Sequence, residues 1–130
     1  MSWYLDSSAI LKLIFHEPES DFLFDELSER RVTSHLSRIE VTRVVQRVSP
    51  QKLSIAKLEL GKYLFIPISE PVIRIAETFT ESPTLRSLDA IHVASALLVQ
   101  SSIQGLISYD QQMLTNARAL GLKVLSPGIN

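Results

Sequence analysis

Residues 2–14 read Ser2-Trp3-Tyr4-Leu5-Asp6-Ser7-Ser8-Ala9-Ile10-Leu11-Lys12-Leu13-Ile14, and the period of the pattern changes part-way along. Ser2 to Leu5 is a short apolar run whose aromatic residues suit a strand. Asp6-Ser7-Ser8 then offers capping side chains to a helix carrying Ala9, Ile10, Leu13 and Ile14 at helical spacing. Strand, tight turn and helix in so short a span form the opening unit of an α/β sheet.

The same alternation continues along the chain. Pro18 opens a second helix, with Phe22, Leu23 and Leu27 on its apolar side and its acids on the other. Val32 to Ser34 is a weak strand. Ser37 to Val48 is strongly helical, with Ile39, Val41, Val44, Val45 and Val48 expected inward, and Ser49-Pro50 starts a helix through Leu60 that Gly61 closes. Tyr63 to Ile68 is predicted to be the third strand. Glu70 to Thr80, Ser87 to Gln100 and Gln111 to Leu120 follow as helices, the last ended by Gly121, with short strands at Gly105 to Tyr109 and Lys123 to Leu125. Five strands separated by helices predict an α/β fold, a three-layer α/β/α sandwich around a parallel sheet.

Length and composition agree with one domain over residues 1–130. A chain of 130 residues, 45% hydrophobic, with four Gly and six Pro, is long enough to bury a core and has no biased tract, linker or internal repeat. The charge-free stretch Ala90 to Ser102 is shorter than the ~20 apolar residues a spanning helix needs. Asp6 interrupts the place where an export signal would have its apolar segment, and no Lys or Arg precedes it. A soluble, cytoplasmic protein with no membrane contact is expected. The absence of Cys excludes a disulfide framework and a thiolate metal site.

The net charge of −1 conceals an asymmetry. Through residue 29 the only base is Lys12, against Asp6, Glu17, Glu19, Asp21, Asp25, Glu26 and Glu29; residues 30–62 then carry Arg30, Arg31, Arg38, Arg43, Arg47, Lys52, Lys57 and Lys62 against Glu40 and Glu59. Such a basic segment either tracks a phosphate backbone or is a solvated helical surface. Arg43 and Arg47 are four apart on the helix of Glu40 and share a face.

Four carboxylates, Asp6, Glu40, Asp89 and Asp110, stand where an apolar run stops or a helix begins. In doubly wound sheets ligands collect beyond the carboxyl ends of the strands, where strand order reverses, and these four acids could meet there. Each also has a local role open to it: Asp6 as a turn residue beside a Ser cap, Glu40 in a capping box with Ser37, Asp89 in a first turn favoured by the helix dipole, Asp110 as an N-cap. Gathered together, they would repel. One pair at 4 Å costs roughly 4 kcal/mol at an effective dielectric of 20, and a divalent cation would remove the conflict.

Around these acids, Trp3-Tyr4-Leu5-Asp6-Ser7-Ser8, Ser34-His35-Leu36-Ser37-Arg38-Ile39-Glu40, Leu85-Arg86-Ser87-Leu88-Asp89-Ala90-Ile91-His92-Val93-Ala94-Ser95-Ala96 and Ser108-Tyr109-Asp110-Gln111-Gln112-Met113-Leu114 together resemble the PIN domain, in particular its single-domain VapC-type toxins. The most specific part is the block from Leu85 to Ala96. The resemblance implies a sheet ordered 3-2-1-4-5 and a metal-dependent ribonuclease, usually a homodimer held inactive by a cognate antitoxin that lies across the crevice. It places Asp6, Glu40, Asp89 and Asp110 at the metal. Some relatives carry a further acid where this chain has Gln112, which bears on a second ion.

Oxygen ligands of this kind suit Mg²⁺ or Mn²⁺, and such an ion can activate water against phosphorus without a protein nucleophile. Ser7 and Ser108 are candidates to hydrogen-bond a ligand carboxylate or a water, and Arg86 to steady a carboxylate or phosphate; each could equally serve its own helix end. His92 reads as a core-edge ring with a satisfied nitrogen rather than a transition-metal ligand, since no second His shares its spacing. Trp3, Tyr4 and Tyr63 read as strand packing. The expected activity is hydrolysis of RNA phosphodiester bonds; the alternative is a weakly catalytic relative that binds RNA or a partner. A haloacid-dehalogenase phosphatase would need an Asp at Ser8, and a receiver domain a Lys on a late strand near Asp110.

Overall fold

The computed structural model describes residues 1–79 and 84–129. Its centre is a parallel sheet of β1 (Ser2–Leu5), β2 (Arg31–Ser34), β3 (Tyr63–Ile66), β4 (Ile103–Ile107) and β5 (Val124–Leu125), in the order β3-β2-β1-β4-β5. Tyr4 of the central strand lies in register with Val32 on one side and Leu106 on the other. Strand order therefore reverses between β1 and β4, and the crevice at their carboxyl ends is the place for a ligand.

Alternation along β1 divides the core in two. Trp3 and Leu5 face a cluster with Ala9, Ile10, Leu23, Val41, Val45 and Leu60, contributed by α1 (Ser7–Ile14), α2 (Ser20–Glu26), α3 (His35–Val48) and α4 (Leu53–Leu60). Tyr4 faces the other way, into a cluster with Val72, Val93, Ala94, Leu106, Met113 and Ala117 that rests on α5 (Glu70–Glu77), α6 (Ser87–Leu98) and α7 (Gln111–Ala119). This is the three-layer sandwich that the sequence pattern predicts. Gly105 is required by packing, since a Cβ there would lie 2.4 Å from the Lys123 carbonyl oxygen and 2.9 Å from the Trp3 ring. Gly121, at φ 95°, takes the left-handed conformation that ends α7.

Several boundaries and facings differ from expectation. Helix α3 starts at His35, not Ser37, because Ser34 caps it by accepting from the Leu36 N–H; Ser37 is buried and bonded to Thr33. On α3, Ile39 and Val48 are 57% and 61% exposed, and Phe22 on α2 is also exposed. Ile39, two residues before Val41, lies about 200° round the helix from it and faces away, while Val48 ends the helix past Val41 and Val45, which enter the core. Pro67, which lacks an N–H for the ladder, leaves β3 ending at Ile66 rather than Ile68. Gly61 caps α4 in a right-handed conformation, at φ −66°. A 3₁₀ turn at Gln100–Ser102 follows α6, and β4 starts at Ile103, in register with Ser2. Helix α5 ends at Glu77, and the expected helical end at Thr80 lies outside the described residues.

Candidate active site

Asp6 leaves β1 and caps α1, and these two positions fix its carboxylate. It is 2% exposed, and its Oδ1 accepts from the Ala9 N–H at 3.0 Å and the Ser8 hydroxyl at 2.7 Å. Its Oδ2 accepts from the Ser108 hydroxyl at 2.6 Å. The expected Ser cap is thus Asp6 itself, which serves the helix and the crevice together. Burial raises its pKa above the ordinary value, against the opposing effects of His92, Ser108 and Ser8.

Ser108, fully buried just past β4, ties the two strand ends together. While donating to Asp6 it accepts from the Asp110 N–H at 3.0 Å. Asp110 caps α7 through Oδ1, which accepts from the Met113 N–H at 3.1 Å.

Glu40 does not fold back on Ser37 as a capping box requires. Its Oε1 accepts from the Ser7 hydroxyl of α1 and from His92 Nε2 of α6 at 2.8 Å. Burial pushes its pKa up, but the hydrogen bonds from His92 and Ser7 prevail and bring it below the ordinary carboxylate value. Asp89, half-buried in the first turn of α6, shifts the other way: burial raises its pKa first, the negative Asp110 next, and Asp6 and Glu40 add to this while His92 opposes it. One carboxyl thus feels the other three.

The donor set is carboxylate and hydroxyl oxygen, with neither nitrogen of His92 spare, which is the chemistry of a hard divalent ion. Among the described residues no three His, Asp or Glu side chains close into a ready-made cage. An ion that keeps several waters and takes only one or two carboxylates directly is the kind that fits.

A family model, the PIN domain, matches residues 3–119. The chain belongs to the PIN-domain family. Within it the chain groups with the VapC ribonucleases: it is 39% identical over 132 residues to "Ribonuclease VapC47" of Mycobacterium tuberculosis, with 96% of each chain covered, and 36% identical over 126 residues to "Ribonuclease VapC46" of the same species, covering 95% of this chain and 96% of that one. Among solved structures, a toxin–antitoxin complex from Klebsiella pneumoniae superposes with a TM-score of 0.77 at 18% identity, over 97% of this chain and 98% of that one. VapBC2 from Rickettsia felis, bound to a promoter DNA fragment, gives 0.76 at 16% identity, over 98% and 99%. These likenesses confirm the fold. PIN-domain VapC nucleases depend on divalent metal ions.

In this PIN domain the structure brings Asp6, Glu40, Asp89, Asp110, Ser7 and Ser108 to one sheet edge and leaves the arginines apart. Arg43 is exposed on α3, lining a shallow depression with His35, Arg38, Ile39 and Thr42 and, farther along, another with Gln46 and Arg47. Arg86 is exposed and precedes α6, where its carbonyl accepts from the Ala90 N–H; among the described residues its side chain makes no hydrogen bond. Sequence reasoning missed Ser8, whose hydroxyl also accepts from the Tyr109 N–H at 2.9 Å. It also missed Tyr4 and His92 as partners of an acid. The Asp-Ser-Ser run could have pointed to Ser8; no local pattern pointed to the pair.

Proposed function

We propose that this chain is the toxin of a type II toxin–antitoxin pair, a single-domain endoribonuclease over residues 1–130 that hydrolyses RNA phosphodiester bonds with Mg²⁺ or Mn²⁺. The observation that carries this reading is the hydrogen-bonded junction where strand order reverses: at the ends of β1 and β4 Ser108 donates to Asp6 and accepts from the Asp110 N–H, and Ser7, next to Asp6, donates to Glu40. Asp6, Glu40, Asp89 and Asp110 would hold the ion, directly or through water. When bound, a divalent ion acidifies water and offsets phosphate charge. Ser108 keeps Asp6 and the start of α7 in fixed relation, and Ser7 steadies Glu40.

Arg43, Arg47 and Arg86 are proposed to meet phosphates flanking the scissile bond. Gln112, exposed on α7, is a weaker ligand than the acid some relatives carry there, which favours one firmly held ion over two. The partners in this reading are RNA, a cognate antitoxin across the crevice and a second copy of the chain, in the cytoplasm. Among the described residues no helix is long and apolar enough to cross a membrane. The names of the relatives and the toxin–antitoxin complexes support this reading.

Incubation of the purified chain with total RNA, with Mg²⁺, Mn²⁺ or EDTA, tests the proposal. Metal-dependent cleavage leaving 5′-phosphate and 3′-hydroxyl ends is expected. Cyclic phosphate ends, or cleavage that survives EDTA, would exclude water activated by a metal. Binding of RNA without cleavage would favour the weakly catalytic alternative.

A further inference from the structure

His92 is 2% exposed on α6, and both its ring nitrogens are engaged by residues distant in sequence. Nε2 lies 2.8 Å from Glu40 Oε1, and Nδ1 lies 2.8 Å from the hydroxyl of Tyr4, which is fully buried on the central strand. The two rings meet edge to face, with centroids 6.0 Å apart. An ionised carboxylate only accepts, so the proton between Glu40 and His92 must sit on Nε2. In the neutral ring Nδ1 is then the acceptor and Tyr4 must donate. The Tyr4 hydroxyl, fully buried and 2.8 Å from Nδ1, is the donor that this geometry supplies.

This relay has one direction, from Tyr4 through His92 to Glu40, and crosses from the sheet to α6 to α3. It ends on Oε1, which the Ser7 hydroxyl also holds. Among the described residues Oε2 accepts no hydrogen bond and is the oxygen left for the crevice. We propose that Tyr4 and His92 are positioning residues that fix one tautomer of the imidazole and thereby lock Glu40 with Oε2 presented to the crevice. The inference rests on Glu40 being an ion ligand, as in the proposed function. Neither residue touches the ion or the RNA. The same arrangement uses both imidazole lone-pair positions, so His92 has none left for a metal.

Partners that orient a ligating carboxylate typically contribute about 10–100-fold in metal affinity. Mn²⁺ titrated into the full chain, followed by calorimetry and by metal-dependent melting, reads that contribution without catalysis. Tyr4→Phe removes only a hydroxyl and keeps the ring; it is expected to weaken Mn²⁺ binding about tenfold, as is His92→Leu, while His92→Gln, whose amide can still donate to Glu40, recovers part of the loss. Nitrogen-15 spectra of the metal-free protein give a second readout. The wild type should show His92 as a single tautomer protonated at Nε2, and Tyr4→Phe should show a mixture.

Glu40→Gln separates the possible failures. If it leaves Mn²⁺ affinity unchanged, Glu40 is not a ligand and the reading of the site fails together with this inference. If Glu40→Gln weakens binding while Tyr4→Phe and His92→Leu do not, the positioning role alone is overturned and the two residues only fill the core. A wild-type ring protonated at Nδ1 would also overturn it.

Discussion

At the amino ends of β2 and β3, Glu59 is buried against the Arg31 guanidinium, accepts from the Tyr63 hydroxyl at 2.8 Å and has Lys62 3.5 Å away. At the carboxyl ends of β1 and β4, Asp6, Glu40, Asp89 and Asp110 converge, and among the described residues no Lys or Arg pairs with any of them. Their hydrogen bonds come from Ser7, Ser8, Ser108, His92 and helix-cap amides instead. Hydrogen bonds of this kind orient a carboxylate and support its charge without cancelling it. The same sheet thus pairs buried charge with a guanidinium at one end and, at the end where an ion is proposed to bind, supports carboxylates without a Lys or Arg partner among the described residues.

The largest expected effect lies at the neutralised end. Glu59→Leu leaves the Arg31 guanidinium buried without its carboxylate and should cost about 3–5 kcal/mol, read by urea unfolding, while metal-dependent cleavage per folded molecule stays unchanged. A loss below about 1 kcal/mol would mean that the Arg31–Glu59 pair is not a buried charge that folding must neutralise.

Asp89→Asn is the matching test at the other end, with the opposite sign. It should abolish cleavage, yet leave metal-free stability unchanged or raised by up to about 1 kcal/mol, the scale of one well-screened like-charge pair at 4 Å. The pH dependence carries the same sign. Burial and then Asp110 raise the Asp89 pKa, so its favourable contribution is complete below the unfolded carboxylate range and is lost as pH rises through the raised folded value. Mild acidification from neutral pH should therefore stabilise the metal-free wild type more than Asp89→Asn. An Asn variant that unfolds would assign Asp89 a structural role.

How much of this contrast the sequence carried depends on whether the signal was local. The β1–α1 unit was legible because alternation, capping and helical period all occur within a dozen or so residues, although Asp6 and not a Ser proved to be the cap, and the four acids stood out by their place at element ends. Strand order came from the resemblance and not from periodicity. The bonds Tyr4–His92 and His92–Glu40 span 88 and 52 residues, and no spacing rule reports a pairing of that kind. Val48 misled for the opposite reason: it shares the face of Val41 and Val45, but only the packed layer decides how much of that face is covered, whereas Ile39, two residues from Val41, lies on the other side of the helix.

The smallest effect concerns the exposed arginines, which lie between the two ends and belong to neither. Replacing Arg43 and Arg47 with Ala should change stability by less than about 0.5 kcal/mol. It should also flatten the dependence of log RNA affinity on log salt by roughly 0.7 for each single-strand phosphate that is no longer neutralised. An unchanged slope would make this face of α3 a solvated surface and direct RNA toward Arg86.

The central claim, that the carboxyl-edge acids are left unpaired for a divalent ion, is tested most directly by melting the wild type and an Asp6→Asn, Asp89→Asn double variant with and without Mg²⁺ or Mn²⁺. An ion that binds only the folded state stabilises it by mass action, so the wild type should melt higher with metal and the double variant should show little shift. An equal rise in both proteins would place the ion elsewhere and contradict the claim.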